Sequence, residues 1–406
     1  MRIAYVVGTF PCLSETFIVR EMAALERKGH ELTILALRRP RAGPVHADAA
    51  PFLERVRCRS RHGLLRTLPR HARCFARSPG PYLRALASVL ARLPFAPVRA
   101  ARKLSAFCAA VEFVQHAREQ NVEHVHAHFL FVPAEVARWL GRLLDVPFSV
   151  SAHAWDLYAR DPRAYAGAAR TAAFLAACTA GGRDALRAAF PEIPPERVVL
   201  IRHGLEPVRF RTGDAAGNLV LAAGRIVEKK GFVDLVDACA LLRDRRVSFR
   251  CVIAGDGAQR GALADRIRGA RLSAHVTLTG ALSQKELAGL FRQAALFVAP
   301  SVTARDGDRD GLPNVILEAM AAGLPVIATD ACAAGEAVAD GQEGFLVPAG
   351  QAQPLADSVE ALLANAGLRA AMGRRGRARI EREFDMDRNI EPLIRQFDAC
   401  RRVGDR

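Results

Sequence analysis

Two series of short apolar runs alternate with amphipathic stretches, and a glycine- and proline-rich break separates them. No other feature constrains the fold of this chain as strongly. The first series opens with a strand at 2–7, then a helix from about Ser14 to Lys28, ended by Gly29, and a strand at 31–37. Ser14 is the expected N-cap of that helix, with Glu15 in its first turn and Phe17 and Ile18 starting its apolar face. A helix at 105–119 and a strand at 122–128 come later, and alternation continues to about Ile201. The break, His203–Asn218, carries Gly204, Pro207, Gly213, Asp214 and Gly217, a linker composition. The pattern then restarts with strands at 218–224, 249–255, 275–279, 295–299, 325–329 and 344–348. Helices are expected between them at 231–243, 258–270, 283–293 and 313–322. Apolar strands between amphipathic helices imply a parallel sheet covered on both faces. The prediction is therefore an α/β chain with two Rossmann-like, doubly wound domains, 1–207 and 208–385. Residues 386–406 form a C-terminal helix able to cross back to the first domain. Ligands in such folds sit at the carboxyl ends of the strands, so two domains facing each other are expected to enclose a cleft.

Composition narrows the class. Half of the 406 residues are hydrophobic and a quarter are charged, which excludes a disordered chain and fits two cores. No uninterrupted apolar run of about 18 residues is present, so no transmembrane helix is expected. The opening MRIAYVVGTF reads as a buried strand and not as a signal peptide. Nine scattered cysteines without a C-x-x-C pair read as reduced thiols, the pattern of a cytoplasmic protein. The net charge of +16 is unevenly placed: Arg55 to Lys103 holds 13 Lys or Arg and no acid. Leu64, Leu65, Leu68, Phe75, Leu83, Leu86, Val89 and Leu90 are interleaved with them. This basic insertion, about 45–105, reads either as a solvated helical face or as a patch for an anionic membrane surface. Each charge near such a surface gains roughly 1 kcal/mol. Nucleic acid is disfavoured as a partner, because few aromatics are available to stack bases and no binding motif is present.

The strongest chemical signal is Asp310-Gly311-Leu312-Pro313-Asn314, running on to Glu318 and Gly323. Pro313 suits a first helical turn, where its missing N–H costs little. Asp310 falls in the loop before the helix and Glu318 more than one turn inside it, so two carboxylates can meet one extended ligand at two places. The unpaired N–H groups at the helix start can hold phosphate between them. The alternative is a capped core helix with incidental acids.

This segment resembles the E-x7-E region of the family 4 retaining glycosyltransferases of the GT-B fold, with Asp in place of the first Glu. The resemblance implies that Asp310 binds donor-sugar hydroxyls and Glu318 the ribose of a nucleotide. AAGRIVEKKG (222–231) is similar to the family's G-R…K-G segment, which implies a diphosphate clamp by Arg225 and Lys230. The turn IAGDGAQ, with Gly255 and Gly257, and the strand end LFVAPS, with Ser301, match further donor-side segments. Gly311, Leu312, Pro313 and Asn314 complete that set.

In the first half, GTFPCLSETFIVREMAALERKGHELTIL resembles the opening of a subgroup that builds bacterial exopolysaccharide of the colanic-acid type. Gly8 and Thr9 then border the donor, and Glu15 is either a first-turn acid or an acceptor-side group. His124, His126 and His128 alternate along one strand and share a face. With His153 they could form a zinc site, but no matching cysteine or carboxylate set accompanies them. The family reading places His126 and His128 on the acceptor side and His153 near C6 of the donor sugar, with His124 in the core. RHGLE (202–206) matches a family turn entering the linker. No Asp-x-Asp segment lies at a strand end, so no metal or other cofactor is expected. The implied partners are a nucleoside-diphosphate-sugar, a glycan or polyprenyl-diphosphate-linked acceptor, and the inner face of the plasma membrane.

Overall fold

The runs that alternate in sequence become strands whose two faces are both covered. A computed structural model of the chain describes residues 1–12, 15–40, 47–60, 64–90, 97–213 and 217–404. It divides into two units, one made of Met1–Arg202 with Ile390–Arg406, the other of His203–Asn389.

The first unit holds seven strands: β1 (Arg2–Thr9), β2 (Glu31–Arg38), β3 (Val56–Cys58), β4 (His124–His128), β5 (Phe148–Ala152), β6 (Leu175–Ala177) and β7 (Val198–Leu200). They form one sheet in the order β3-β2-β1-β4-β5-β6-β7, and each paired neighbour is parallel. Ala4 and Val6 of β1 and Val125 and Ala127 of β4 face one core, together with Phe113 and Trp139. The opposite face carries Tyr5 and the three histidines of β4, each wholly buried. Phe397, from the helix Glu391–Gly404, closes over that face. Its ring centroid lies 4.9 Å from His124 and 5.4 Å from His126.

The second unit holds β8 (Leu219–Ala223), β9 (Arg250–Ala254), β10 (Val276–Gly280), β11 (Leu296–Ala299), β12 (Val326–Thr329) and β13 (Gly344–Val347), in the order β10-β9-β8-β11-β12-β13. Along β8, Val220 and Ala222 enter one core while Leu221 and Ala223 enter the other. A strand buried on both sides needs such a continuous apolar run.

Several expectations shift. The basic insertion is not wholly helical: Val56–Cys58 extends the first sheet through pairing with β2. Three residues are too short for a period to show in the sequence. Helices follow at Leu64–Arg77, Pro79–Leu90 and Pro97–Glu119. Ser14 lies outside the described residues, and the first helix, Thr16–Arg27, has Glu15 at its N-cap position. The break after Arg202 is an ordered strap for its first part: Leu205 is buried, its N–H bonds the Phe384 carbonyl at 2.9 Å, and its carbonyl accepts the Met386 N–H at 3.0 Å. Asp214 of this break lies outside the described residues. Among the described residues no helix is long and apolar enough to cross a membrane.

Candidate active site

Four strand-end segments of the second unit converge. After β8 the chain turns through Gly224, and the Ile226 N–H bonds the Asp256 carbonyl at 2.8 Å, joining this turn to the glycine turn after β9. Gly257 is required there, since a Cβ would lie 2.4 Å from the Ile226 carbonyl oxygen. The chain next passes Glu228–Lys230 and reaches Gly231 at φ +63°, where a Cβ would sit 1.7 Å from the Pro300 carbonyl oxygen. No side chain fits that approach. It brings the lysines against the end of β11, where the Val302 N–H bonds the Lys229 carbonyl at 2.9 Å.

The result is a charge cluster. Lys230 Nζ donates to Asp310 Oδ2 at 2.6 Å, Lys229 Nζ lies 3.6 Å from Asp310 Oδ1, and the Ser301 hydroxyl donates to Asp310 Oδ2 at 3.1 Å. Lys229 also donates to Asp308 at 3.0 Å. Burial by itself would raise the Asp310 carboxyl, but the Lys230 and Lys229 ammoniums beside it hold it below the usual range. Lys230 packs along the turn that precedes Arg225, since a Cβ on Gly224 would lie 3.3 Å from Lys230 Cε. Arg225 is exposed at that turn. The helix Asn314–Ala321 begins four residues after Asp310. Pro313 is its N-cap and not its first helical residue, because ψ of 124° keeps it extended. Asn314 faces His203, its Oδ1 3.3 Å from the ring Nδ1. Glu318 is buried on the second turn of the helix, at 8% exposure. Gly311 accepts the Ala333 N–H at 3.0 Å, which ties the loop to the end of β12. The cluster thus gathers Lys230, Asp310 and Ser301 with the glycine turns and places Arg225 and Gly311–Asn314 on the same loops. Lys229 and Asp308 were not anticipated. A second lysine beside the motif lysine carries no distinguishing signal in the sequence, yet both reach Asp310.

A second polar group occupies the first unit, beneath the carboxyl ends of β1, β4 and β5. The Tyr5 hydroxyl donates to Glu21 Oε1 at 2.7 Å, and His128 Nε2 lies 3.0 Å from the same oxygen. His128 Nδ1 is 3.2 Å from His153 Nε2. His126 faces Ser149 and Ser151 hydroxyls at 2.7 and 3.0 Å, so it is a satisfied interior residue with no open face. His124 contacts Ser149 in the core, as expected. Ligand atoms of Glu21, His126 and His128 lie within 4.8 Å of one another, a spacing suited to a cation, but their partners here are hydroxyls and one another. Burial would raise the Glu21 carboxyl, yet His128 beside it reverses this and brings it down to about 2. Glu21 was missed from the sequence, as an acid at a helix position reads as solvated. Gly8 and Thr9 end β1 half-buried, and Glu15 is half-buried at the helix start.

Asp156 forms a capping box with His153 and accepts the backbone N–H groups of His153 and Leu130, each at 2.9 Å. Burial raises its carboxyl to about 7 despite these bonds. The native protein therefore keeps this proton at pH values where the unfolded chain has lost it, so stability falls as pH rises from about 4 to about 7. The full penalty is on the order of 4 kcal/mol at 1.36 kcal/mol per unit. Asp156→Asn is expected to be more stable than the native protein at pH 8 and not at pH 4, as urea unfolding at both values will test.

The fold is that of the GT-B glycosyltransferases. Residues 209–379 match the family model described as glycosyl transferases group 1. The chain is 28% identical over 375 residues to a protein named as the colanic acid biosynthesis glycosyltransferase WcaL of Salmonella typhimurium, covering 88% of this chain and 89% of that one. It is 30% identical to a glycogen synthase of Mycobacterium tuberculosis, covering 70% of each. Among solved structures, Anabaena Alr3699/HepE in complex with UDP and glucose has the same fold, with a TM-score of 0.74 at 17% identity over 98% of this chain and 100% of that one. The chain belongs to the group 1 glycosyl transferases and transfers sugar from a nucleotide-sugar donor.

Proposed function

We propose that this enzyme transfers its sugar, with retention at the anomeric carbon and without a metal ion, to a glycan or lipid-linked glycan of a bacterial surface polysaccharide. The observation that carries the proposal is the Lys230–Asp310–Ser301 cluster at the start of the helix Asn314–Ala321, beside Arg225. Transfer separates a positive sugar from a negative diphosphate. Two cations and the N–H groups of a helix start stabilise the leaving group, the service a divalent ion performs elsewhere. Glu318 holds the ribose and Asp310 the sugar hydroxyls. Gly8 and Thr9 border the donor, His153 serves the transfer step, and Glu15 and His128 lie on the acceptor side. The test is a transfer assay with UDP-, GDP- and ADP-sugars and a polyprenyl-diphosphate-linked oligosaccharide. Turnover in EDTA is expected to equal that in Mg²⁺. A strict Mg²⁺ or Mn²⁺ requirement refutes the metal-free reading, and nucleotide binding without any transfer refutes the acceptor class.

The helices Leu64–Arg77 and Pro79–Leu90 supply the membrane contact. Leu68, Phe75 and Leu83 are 53, 43 and 52% exposed, and Arg73, Arg77 and Arg84 are exposed beside them. Val89 is buried and Leu86 half-buried, so they belong to the core, while the side chains of Leu64, Leu65 and Leu90 lie outside the described residues. Apolar side chains among arginines suit the interface of an anionic leaflet. The protein is expected to co-sediment with liposomes rich in anionic lipid and to be released at high salt. Binding indifferent to lipid charge would rule this out.

A further inference from the structure

We infer that Lys229, anchored by Asp308, is a positioning residue that aims one oxygen of Asp310 at the sugar of the donor; this rests on the assignment of Asp310 to the sugar hydroxyls. Lys229 is buried, and a lysine taken out of water needs a counter-charge. Asp308 supplies one at 3.0 Å. The same ammonium also lies 3.6 Å from Asp310 Oδ1, a contact that its own burial does not require. The oxygens of Asp310 are not equivalent. Oδ2 accepts from Lys230 at 2.6 Å and from Ser301 at 3.1 Å. Oδ1 accepts no hydrogen bond among the described residues and faces Lys229. A carboxylate oxygen takes about two hydrogen bonds, so Oδ2 is filled while Oδ1 has room for a hydroxyl.

Bonds to Oδ2 alone leave the carboxylate able to swing about that oxygen. Lys229 acts from the other side, where its charge attracts Oδ1. Asp308 draws the ammonium the opposite way and keeps it from closing on Oδ1, so the lone pairs of that oxygen stay open. Burial would raise the Asp310 carboxyl, and Lys230 and then Lys229 offset this, so the acceptor offered to the sugar is ionised. A hydroxyl bonds a charged acceptor more strongly than a neutral one. The loop that carries Asp310 is fastened by main-chain bonds and not by the Lys229 ammonium. The Val302 N–H bonds the Lys229 carbonyl at 2.9 Å, the Ala304 N–H bonds the Asp308 carbonyl at 2.8 Å, and the Ala333 N–H bonds the Gly311 carbonyl at 3.0 Å. Loss of the ammonium therefore changes where Oδ1 points and leaves the loop in place.

Lys229→Met keeps most of the stem and removes the charge. The probes are the UDP-, GDP- or ADP-sugar that the transfer assay selects and its free nucleoside diphosphate, which has the same base, ribose and phosphates but no sugar. K229M is expected to raise the KM for the nucleotide-sugar by about 10-fold, the scale of one hydrogen bond to a charged group. The inhibition constant of the free diphosphate is expected to change by less than about 2-fold. Loss of packing would weaken both, because Lys230 and the glycine turns share the same loops. Equal losses, or no loss for either probe, overturn the inference. If K229M does not fold because Asp308 is left without its cation, K229M/D308N removes that charge too, and the same sugar-specific loss is expected. A double variant in which the two values move together, or stay native, overturns the inference as well. Asp310→Asn separates the two levels: a native KM for the nucleotide-sugar in that variant removes the assignment of Asp310 itself, whereas a sugar-specific loss there with native-like K229M defeats the role of Lys229 alone.

Discussion

Lys230→Ala lowers kcat/KM by about 10²–10³-fold and leaves the protein folded. The magnitude is that of removing one preorganised donor from a charge developing in the transition state. Lys230 Nζ sits 2.6 Å from Asp310 and lies against the turn leading to Arg225, so its charge is fixed in place before a ligand arrives. The variant keeps its fold because Asp310 retains Ser301 at 3.1 Å and Lys229 at 3.6 Å. Steady-state kinetics with a saturating acceptor, paired with a thermal melt, measures both claims. Turnover near the native rate would mean that the leaving diphosphate is held elsewhere.

Asp310→Ala is the second large effect, and it falls on stability. The side chain of Lys229 is only 8% exposed and that of Lys230 15%. Removing their shared carboxylate leaves both ammoniums short of a counter-charge, which costs about 3–5 kcal/mol for a buried pair. Asp308, still 3.0 Å from Lys229, places the expected loss near the lower end of that range. The midpoint of urea unfolding at pH 7 is the measurement, and a midpoint equal to that of the native protein would show that Asp308 alone satisfies both lysines. The same group gives an acid dependence. Its native pKa is depressed, so its stabilisation is present above the unfolded value and is lost as pH falls through the native one.

The sequence made the sheets legible because strands buried on both faces must be short, apolar and bounded by turns. Nine of those expected runs reappear as strands within a few residues of their ends. What stayed hidden depended on long-range contact. Val56–Cys58 is a strand only because β2 offers it an edge. Leu205 reads as linker until its backbone meets Phe384 and Met386. In the Lys230–Asp310 cluster the motif residues were visible as types at a spacing, but Lys229 and Asp308 were not. Both adjacent lysines turn inward to Asp310, just before the left-handed turn at Gly231. His126 illustrates the opposite error: a histidine at a strand end suggests chemistry, and two serines on β5 with Phe397 above make it part of the interior.

The second unit begins at His203 and ends at Asn389, and the Asn389 side-chain amide bonds the His203 carbonyl at 3.2 Å. Its entry and exit segments are thus stitched together, so this half is a cassette set into the chain of the other half. A graft that takes these residues from one family member to another would leave the host's chain path unaltered. Exchanging this unit between family members then requires only two splice points, at neighbouring positions in space.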